Sequence, residues 1–352
     1  MLRTLVAPVL PQGQIDTMEL YLGIETSCDD TSCAIYSPEE GVVAYRTAAQ
    51  LDHAKYGGVV PEIASRTHMK TLLPLYETVM EEGSAGLADL AGIGVTNGPG
   101  LTGSLLVGLS FAKALAYGSG IPLTGIHHIE GHILANAIDG PLEIPAVVLV
   151  VSGGHTQLFS VEKPGRYVFL GGTRDDAAGE AFDKIGKILG LPYPGGPSIE
   201  KAARDGDPEA FDFPRAVRTS GECDFSFSGL KTAVRLKVEE LGELSARTVA
   251  DVAASAQEAI VDALAIKSVM AVERTETSRF YIAGGVAANG RLREVIGDRV
   301  GKAGAEVSWP PVKYCTDNAA MIACAAWYHL SAGRADGLDL NTFPRGELMS
   351  WA

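Results

Sequence analysis

The stretch His127-His128-Ile129-Glu130-Gly131-His132 concentrates side chains able to do chemistry. On a helix residues advance by about 100° each, so His128 and His132, four apart, return to within about 40° of one another and can share one ion. His127 points well away from His132 and reads as a supporting or packing residue. Glu130 is turned by about 200° from His128. The zinc-protease motif instead needs its glutamate directly after the first histidine, where it holds a water on the metal's side, so a protease reading is disfavoured. A histidine pair one turn apart also suits solvent exposure or hydrogen-bonded packing. A catalytic metal would call for a third protein ligand and open positions.

The carboxylates that could complete such a site are Asp317, in Cys315-Thr316-Asp317-Asn318, and Asp29 or Asp30, which follow Cys28. Asp317 stands before an Ala-rich run, which is also how a helix N-cap looks, and on the residues alone the cap reading comes first. Asp183, in the acidic stretch Asp175 to Lys184, shares that ambiguity, since its neighbours Asp175, Asp176 and Glu180 favour a helix N-terminus. Asn289, beside Gly290, could touch a ligand ribose or occupy a left-handed turn position. Cys28 lies next to two acids that raise its pKa, which argues against a thiolate nucleophile.

The elements that must position these residues come in matched pairs. Tyr21 to Ile24 reads as a strand, Glu25 to Ser32 as a polar turn and Cys33 to Tyr36 as the return strand of a hairpin. The pattern recurs with the strand Ala146 to Val151, the turn Ser152-Gly153-Gly154-His155-Thr156 and the return Gln157 to Val161. Ala91 to Val95 leads through the glycine loop Thr96 to Gly103 into a helix ending near Ala116, and Phe280 to Ala283 leads through Gly284 to Gly290 into a helix from Arg291. A glycine loop opening a helix presents backbone N–H groups and the positive dipole end to an anion. Two hairpins and two such loops in matched order predict an internal duplication. Helices are predicted over Thr67 to Glu82, Ser104 to Gly118, Ala178 to Leu189, Ala246 to Glu273 and Asp317 to Ala332, the fourth with Val249, Val252, Ala256, Ile260 and Leu264 at core spacing. The alternation of strands and helices predicts an α/β fold. Pro192 to Pro197 is expected as a rigid irregular loop.

Composition limits the function classes. The chain of 352 residues is long enough for two domains, and its mean hydropathy is +0.13. No apolar run approaches the roughly 18 residues of a membrane span. Met1 to Gln14 lacks the organisation of a signal peptide, and the first 17 residues are expected to be a disordered extension. Five cysteines without a Cys-x-x-Cys pair disfavour a disulfide framework or a structural zinc and suggest the cytoplasm. A net charge of −14 disfavours unaided grip on a phosphate backbone. The candidate basic patch Arg215, Arg218, Lys231, Arg235 and Lys237, interleaved with Phe225 and Phe227, reads more readily as a solvated helix face. Glycine is abundant, 41 residues without a collagen period, against a norm of roughly 7%.

Taken together these motifs resemble the bacterial TsaD family, tRNA N6-adenosine threonylcarbamoyltransferases formerly called O-sialoglycoprotein endopeptidases. The matching segments are Gly23 to Asp29, Tyr56 to Glu62, Gly98-Pro99-Gly100, His128 to His132, Val151 to Thr156, Asp175 to Lys184, Asp224 to Lys231, Gly284 to Asn289 and Cys315 to Asn318, in the family's order. The resemblance implies a duplicated actin/Hsp70/hexokinase-like (ASKHA) fold, two lobes with an interlobe cleft. The lobes would be residues 19–143 and 144–315 after an extension over 1–18, with a C-terminal helix over 316–333 packing back on the first lobe and a tail over 334–352. It implies one divalent metal ion, Fe(2+) or Zn(2+), on His128, His132 and Asp317, and nucleotide-substrate contacts at Val150, Val151, Ser152, Gly153, Gly154, Asp183, Gly196 and Asn289. Gly290 departs from the polar or basic residue that relatives often carry.

The implied reaction moves threonylcarbamoyl from threonylcarbamoyl-AMP to N6 of the adenosine 3′ of the anticodon in tRNAs reading ANN codons. An aromatic amine is a poor nucleophile, so the carbonyl must be polarised and its developing charge stabilised. Ser152-Gly153-Gly154 could cradle the AMP phosphate, and Asp29 is the candidate acceptor of the amine proton. The anticodon-loop base is not locked in a duplex. A TsaB-like paralogue and a TsaE-like ATPase are the implied partners, with no membrane. The fold alone also allows an ASKHA-type small-molecule kinase or ATPase, or a non-catalytic scaffold.

Overall fold

A computed structural model describes residues 18–50, 53, 58–215 and 221–351. The expected disordered extension over residues 1–17 and Arg218 of the basic stretch lie outside the described residues.

Two five-stranded sheets carry the same topology. In the first, β1 (Leu20–Glu25), β2 (Asp30–Ser37) and β3 (Gly41–Ala49) form an antiparallel meander. Strands β4 (Leu90–Gly98) and β5 (Leu123–His127) add in parallel on the other side of β1, giving the order β3-β2-β1-β4-β5. Helices α1 (Pro61–Glu82) and α2 (Thr102–Ser119) make the connections. A short helix, α3 (His128–Leu134), follows β5 without a loop.

The second sheet repeats this plan with β6 (Ala146–Val151), β7 (Thr156–Lys163) and β8 (Arg166–Gly172) as the meander. Helices α4 (Ala178–Ile188), α5 (Gly195–Ala203), α6 (Ser228–Leu241) and α7 (Ala246–Thr275) come between β8 and β9 (Arg279–Ala283). Helix α8 (Gly290–Lys302) then leads to β10 (Glu306–Ser308), and the order is β10-β9-β6-β7-β8. The last helix is α9 (Ala319–Ser331). The duplication expected from the hairpins and glycine loops is therefore present in the pairing itself.

Several boundaries differ from expectation. The first polar tip is shorter, because Thr31 and Ser32 belong to β2, where their hydroxyls find His68 Nδ1 at 2.8 Å and the Arg46 carbonyl at 3.0 Å. Helix α1 starts six residues early, at Pro61, whose missing N–H costs nothing at a first helical position. The proline-rich loop ends sooner than expected: α5 begins at Gly195 with Pro197 still in its first turn, where proline is tolerated.

Each sheet has its own core, and a third core fills the seam. Val252, Ala256, Ile260 and Leu264 of α7 pack with Leu149, Phe280 and Ile282 in the second half. At the seam, Ile129 and Ile133 of α3 and Ala319 through Ala326 of α9 join Ala34 and Ile126 of the first sheet to Val148 and Val150 of the second. Helix α9 is apolar all round and is buried accordingly. Its closeness to the first sheet depends on strand glycines. A Cβ on Gly23 would lie 2.1 Å from the Ala319 carbonyl oxygen, and one on Gly94 would lie 2.5 Å from Ala326 Cβ.

Candidate functional site

The site sits where β5, β1, the β6–β7 turn and the entrance to α9 converge. The direct β5-to-α3 junction is fixed by His127, whose Nδ1 accepts from the Ile129 N–H at 3.2 Å and so caps α3. One turn of helix then brings His128 and His132 together, with ring centroids 4.7 Å apart and planes at 81°.

Asp317 completes the group. It is not the cap of α9; Asn318 is, with its Oδ1 accepting from the Met321 N–H at 2.9 Å. The Asn318 amide also donates to the Tyr314 and Thr316 carbonyls, which pins the loop. Asp317 is thereby left free to face the histidines, its Oδ1 lying 3.1 Å from His132 Nε2 and 3.5 Å from His128 Nε2. The three ligand atoms lie within 4.8 Å of one another.

Glu25, at the end of β1, orients the first histidine. Its Oε2 is 3.1 Å from His128 Nδ1 and accepts from the Thr96 hydroxyl at 2.6 Å, while Oε1 accepts from the Ser27 N–H. A carboxylate behind an imidazole sets its tautomer and leaves the other nitrogen for a metal. Burial would lower the His128 pKa, but the Asp317 and Glu25 carboxylates outweigh it and push it up to about 10. Both carboxyls are held below their usual range against the opposing effect of burial, chiefly by His128. The buried Glu25 and the partly exposed Asp317 thus favour a positive charge between them. His132 Nδ1 is buried with no hydrogen-bond partner. A donor set of two imidazoles and a carboxylate, with its charge unbalanced in favour of a cation, fits a divalent transition metal such as Fe(2+) or Zn(2+).

Other acids and His155 surround this group. The His155 ring lies 6.2 Å from that of His128, and burial with the neighbouring imidazoles pushes its pKa down to about 3. At the first hairpin tip the Asp30 carboxyl is pushed up to about 7 by burial, then by Asp317, Asp29 and Glu25. The Cys28 thiol is raised by burial and then by Asp29, which agrees with an unreactive cysteine. Burial first, then Asp183 and Asp29, raises Tyr193 to about 12, so the first hairpin tip faces the α4–α5 corner of the second half.

The remaining expected contacts sort by what their atoms already do. Val150 and Val151 are fully buried in β6, so their side chains serve the cores. Ser152 closes the β6–β7 turn, its N–H donating to the His155 carbonyl at 2.8 Å and its Oγ accepting from the His155 N–H. Gly153 and Gly154 are exposed, have no positive φ, and would meet nothing within 4 Å if given a Cβ. Gly196 is likewise open. Neither packing nor backbone geometry demands glycine at these three positions. Asp183 does not sit at a helix N-terminus; it lies within α4 and accepts from the Gly195 N–H at 2.7 Å, holding the start of α5. Asn289 is not left-handed: its φ is −65°, it caps α8 through the Leu292 N–H, and it donates to Gln257 Oε1.

Comparison with known proteins decides the family. A family model described as TsaD, tRNA N6-adenosine threonylcarbamoyltransferase, matches residues 41–324. Curated tRNA N6-adenosine threonylcarbamoyltransferases of Desulfitobacterium hafniense and Symbiobacterium thermophilum are 51% and 50% identical over 327 residues, covering 92% of this chain and 96% of each relative. The chain belongs to the TsaD family. It is accordingly a transferase that modifies tRNA. Among solved structures, HypF of T. kodakarensis superposes with a TM-score of 0.61 at 15% identity, covering 90% of this chain and 48% of HypF. Component A of the Acidaminococcus fermentans (R)-2-hydroxyglutaryl-CoA dehydratase gives 0.52 at 16%, covering 89% and 99%. These neighbours share the ASKHA-type fold and carry no further inference.

Within this TsaD chain, sequence reasoning left Glu25 and His155 without a role. Glu25 had a readable signal, an acid closing an apolar strand. The basic stretch is paired where it is described: Arg215 Nε lies 2.7 Å from Asp262 and Lys237 Nζ 2.7 Å from Glu240. Phe225 and Phe227 are buried and stacked on each other, so that stretch offers no exposed aromatic surface for a nucleic acid.

Proposed function

We propose that this TsaD chain transfers threonylcarbamoyl from threonylcarbamoyl-AMP to N6 of the adenosine 3′ of the anticodon in tRNAs reading ANN codons. The observation that carries this reading is the convergence of His128, His132 and Asp317 within 4.8 Å, beside the turn whose His155 ring lies 6.2 Å from that of His128. These three residues would hold a divalent cation, Fe(2+) or Zn(2+). When bound it supplies Lewis-acid polarisation of a carbonyl oxygen.

The chain's own residues do the rest. Glu25 keeps His128 in one orientation. The open backbone at Gly153 and Gly154 offers N–H groups to the AMP phosphate. A bond forms from the amine nitrogen to the carbonyl carbon, the bond from that carbon to the AMP phosphate oxygen breaks, and AMP leaves with its electron pair. The amine proton passes to the carboxylates at the first hairpin tip. Asp29 is the candidate acceptor, and the partly buried Asp30 beside it, pushed up to about 7 in the metal-free protein, is a second.

A TsaB-like paralogue and a TsaE-like ATPase are proposed as partners in the cytoplasm. No helix among the described residues is long and apolar enough to cross a membrane. In support of a protein partner, α1 and α2 leave Met69, Leu73 and Leu106 exposed around an apolar groove of about 500 Å³.

The test is transfer of labelled threonylcarbamoyl to tRNA with both partners present. His128→Ala, His132→Ala and Asp317→Ala should each lower the rate by about a hundredfold to a thousandfold, on the scale of removing one transition-state contact. Activity within tenfold of the parent in any of them rejects the assigned ligand set.

A further inference from the structure

Glu130 lies between the two histidines on α3, faces away from both, and is 1% exposed. A buried carboxylate carries a large desolvation penalty unless its oxygens are fully hydrogen-bonded. Here they are: Oε1 accepts from Tyr167 OH at 2.7 Å and from Trp351 Nε1 at 2.6 Å, and Oε2 lies 2.9 Å from His329 Nε2. An indole N–H can only donate, so the direction of the Trp351 bond is fixed. Bonds of this kind to an ionised acceptor are the strong ones.

The donors come from three separate places. Tyr167 belongs to β8 of the second sheet, His329 to α9, and Trp351 to the segment beyond α9. That segment crosses the molecule. The Phe343 N–H donates to the Asn97 carbonyl of β4 at 2.9 Å, and the Trp351 N–H donates to the Gly165 carbonyl, in the turn between β7 and β8, at 2.8 Å. Gly165 has a φ of +84°, and a Cβ there would lie 2.6 Å from the indole. The glycine is what lets the ring reach the carboxylate.

We propose that Glu130 is a positioning residue that sets the rotation of α3, and with it the aim of His128 and His132 at Asp317, through an anchor completed by Trp351. The proposal rests on the metal-site reading above. Helix α3 has only seven residues, so few internal bonds hold its orientation, and any rotation about its axis swings both imidazoles. The anchor grips the opposite side of that axis. One of its donors, His329, stands on α9, the helix whose entrance carries Asp317, so the same cluster ties the two ligand-bearing elements together. His329 Nδ1 reaches Thr124 Oγ1 at 3.3 Å on β5, the strand that runs directly into α3. Apolar side chains could fill this space with equal or better stability; a satisfied buried charge instead specifies one orientation.

The experiment uses the full chain with Co(II) as the metal probe, whose visible absorption reports ligand geometry and whose affinity is read against a chelator. Trp351→Phe keeps an aromatic ring and removes the donor. The expected result is about tenfold weaker Co(II) binding and a changed absorption band, with the circular dichroism of the parent. Leu338→Ala, which alters the same segment at an exposed position, should leave both readings unchanged. Tyr167→Phe removes the other donor to Oε1 and is held to the same outcome if Trp351→Phe does not fold. Parent-like affinity and spectrum in the donor variant, or an equal effect from Leu338→Ala, overturns the proposal. His132→Ala separates the two readings. Loss of Co(II) there beside a parent-like Trp351→Phe removes the anchor alone, whereas retention there removes the metal site and the anchor with it.

Discussion

Charge at the level of single residues defines the centre of this molecule. Glu25 and Asp317 stay ionised around His128, and Asp30 stands close enough to feel both. In the metal-free protein the Asp30 pKa of about 7 lies above its ordinary value of 3.8. Folding therefore favours the protonated form, whose stabilising contribution is complete below about pH 4 and is lost as pH rises through about 7. The whole shift corresponds to about 4 kcal/mol; partial exposure reduces it to on the order of 1–2 kcal/mol. Asp30→Asn should leave the stability of metal-free protein unchanged near pH 4 and raise it by that amount near pH 8, measured by urea unfolding. An equal effect at both pH values contradicts this charge arrangement. At this scale the two histidines and their geometry were legible from spacing alone, because helical periodicity is local. The role of Asp317 was not, because whether it or Asn318 caps α9 depends on a contact with histidines 185 residues away. The roles of Glu25 and Trp351 were hidden for the same reason.

At the level of elements, glycine has two distinct uses. Gly23 on β1 makes room for α9, so Gly23→Ala drives a Cβ into backbone and should cost about 3 kcal/mol or more. A Cβ on Gly153 would meet nothing within 4 Å, so Gly153→Ala should change stability by less than about 0.5 kcal/mol while slowing transfer at least about tenfold, or about 1.4 kcal/mol in the barrier. Thermal unfolding and the transfer assay together check the pair; a Gly153→Ala enzyme with full activity removes the phosphate cradle from the mechanism. The paired hairpins and long helices could be read in advance because their apolar runs are continuous. Strands β3 and β8 escaped because they are edge strands whose apolar runs, Val42 to Tyr45 and Tyr167 to Leu170, are short and only partly buried. Helix α5 was hidden by the prolines at its start.

The whole molecule is acidic, with a net charge of −14, yet its family modifies tRNA. The one basic stretch singled out in the sequence is largely neutralised by its own acids. Grip on the tRNA backbone is therefore proposed to depend on a partner, and the exposed groove between α1 and α2 is an apolar surface available to one. Leu73→Glu should abolish partner-dependent transfer without altering metal content, as checked by co-purification and the transfer assay; undiminished transfer places the partner elsewhere. Duplication was legible at this scale from repeated motifs, and the resemblance to TsaD carried the cleft. The crossing of residues 334–351 from one sheet to the other was not, since a segment without helix or strand periodicity gives no sign of what it spans.

The most direct measurement of the central claim is the metal content of the full chain purified without added metal, beside His132→Ala and Asp317→Ala. One Fe or Zn per parent chain, with loss of that metal in both variants while their circular dichroism is unchanged, is the predicted result. A metal-free parent that transfers threonylcarbamoyl at full rate, or variants that keep a full equivalent of metal, would show that these three residues do not form the centre.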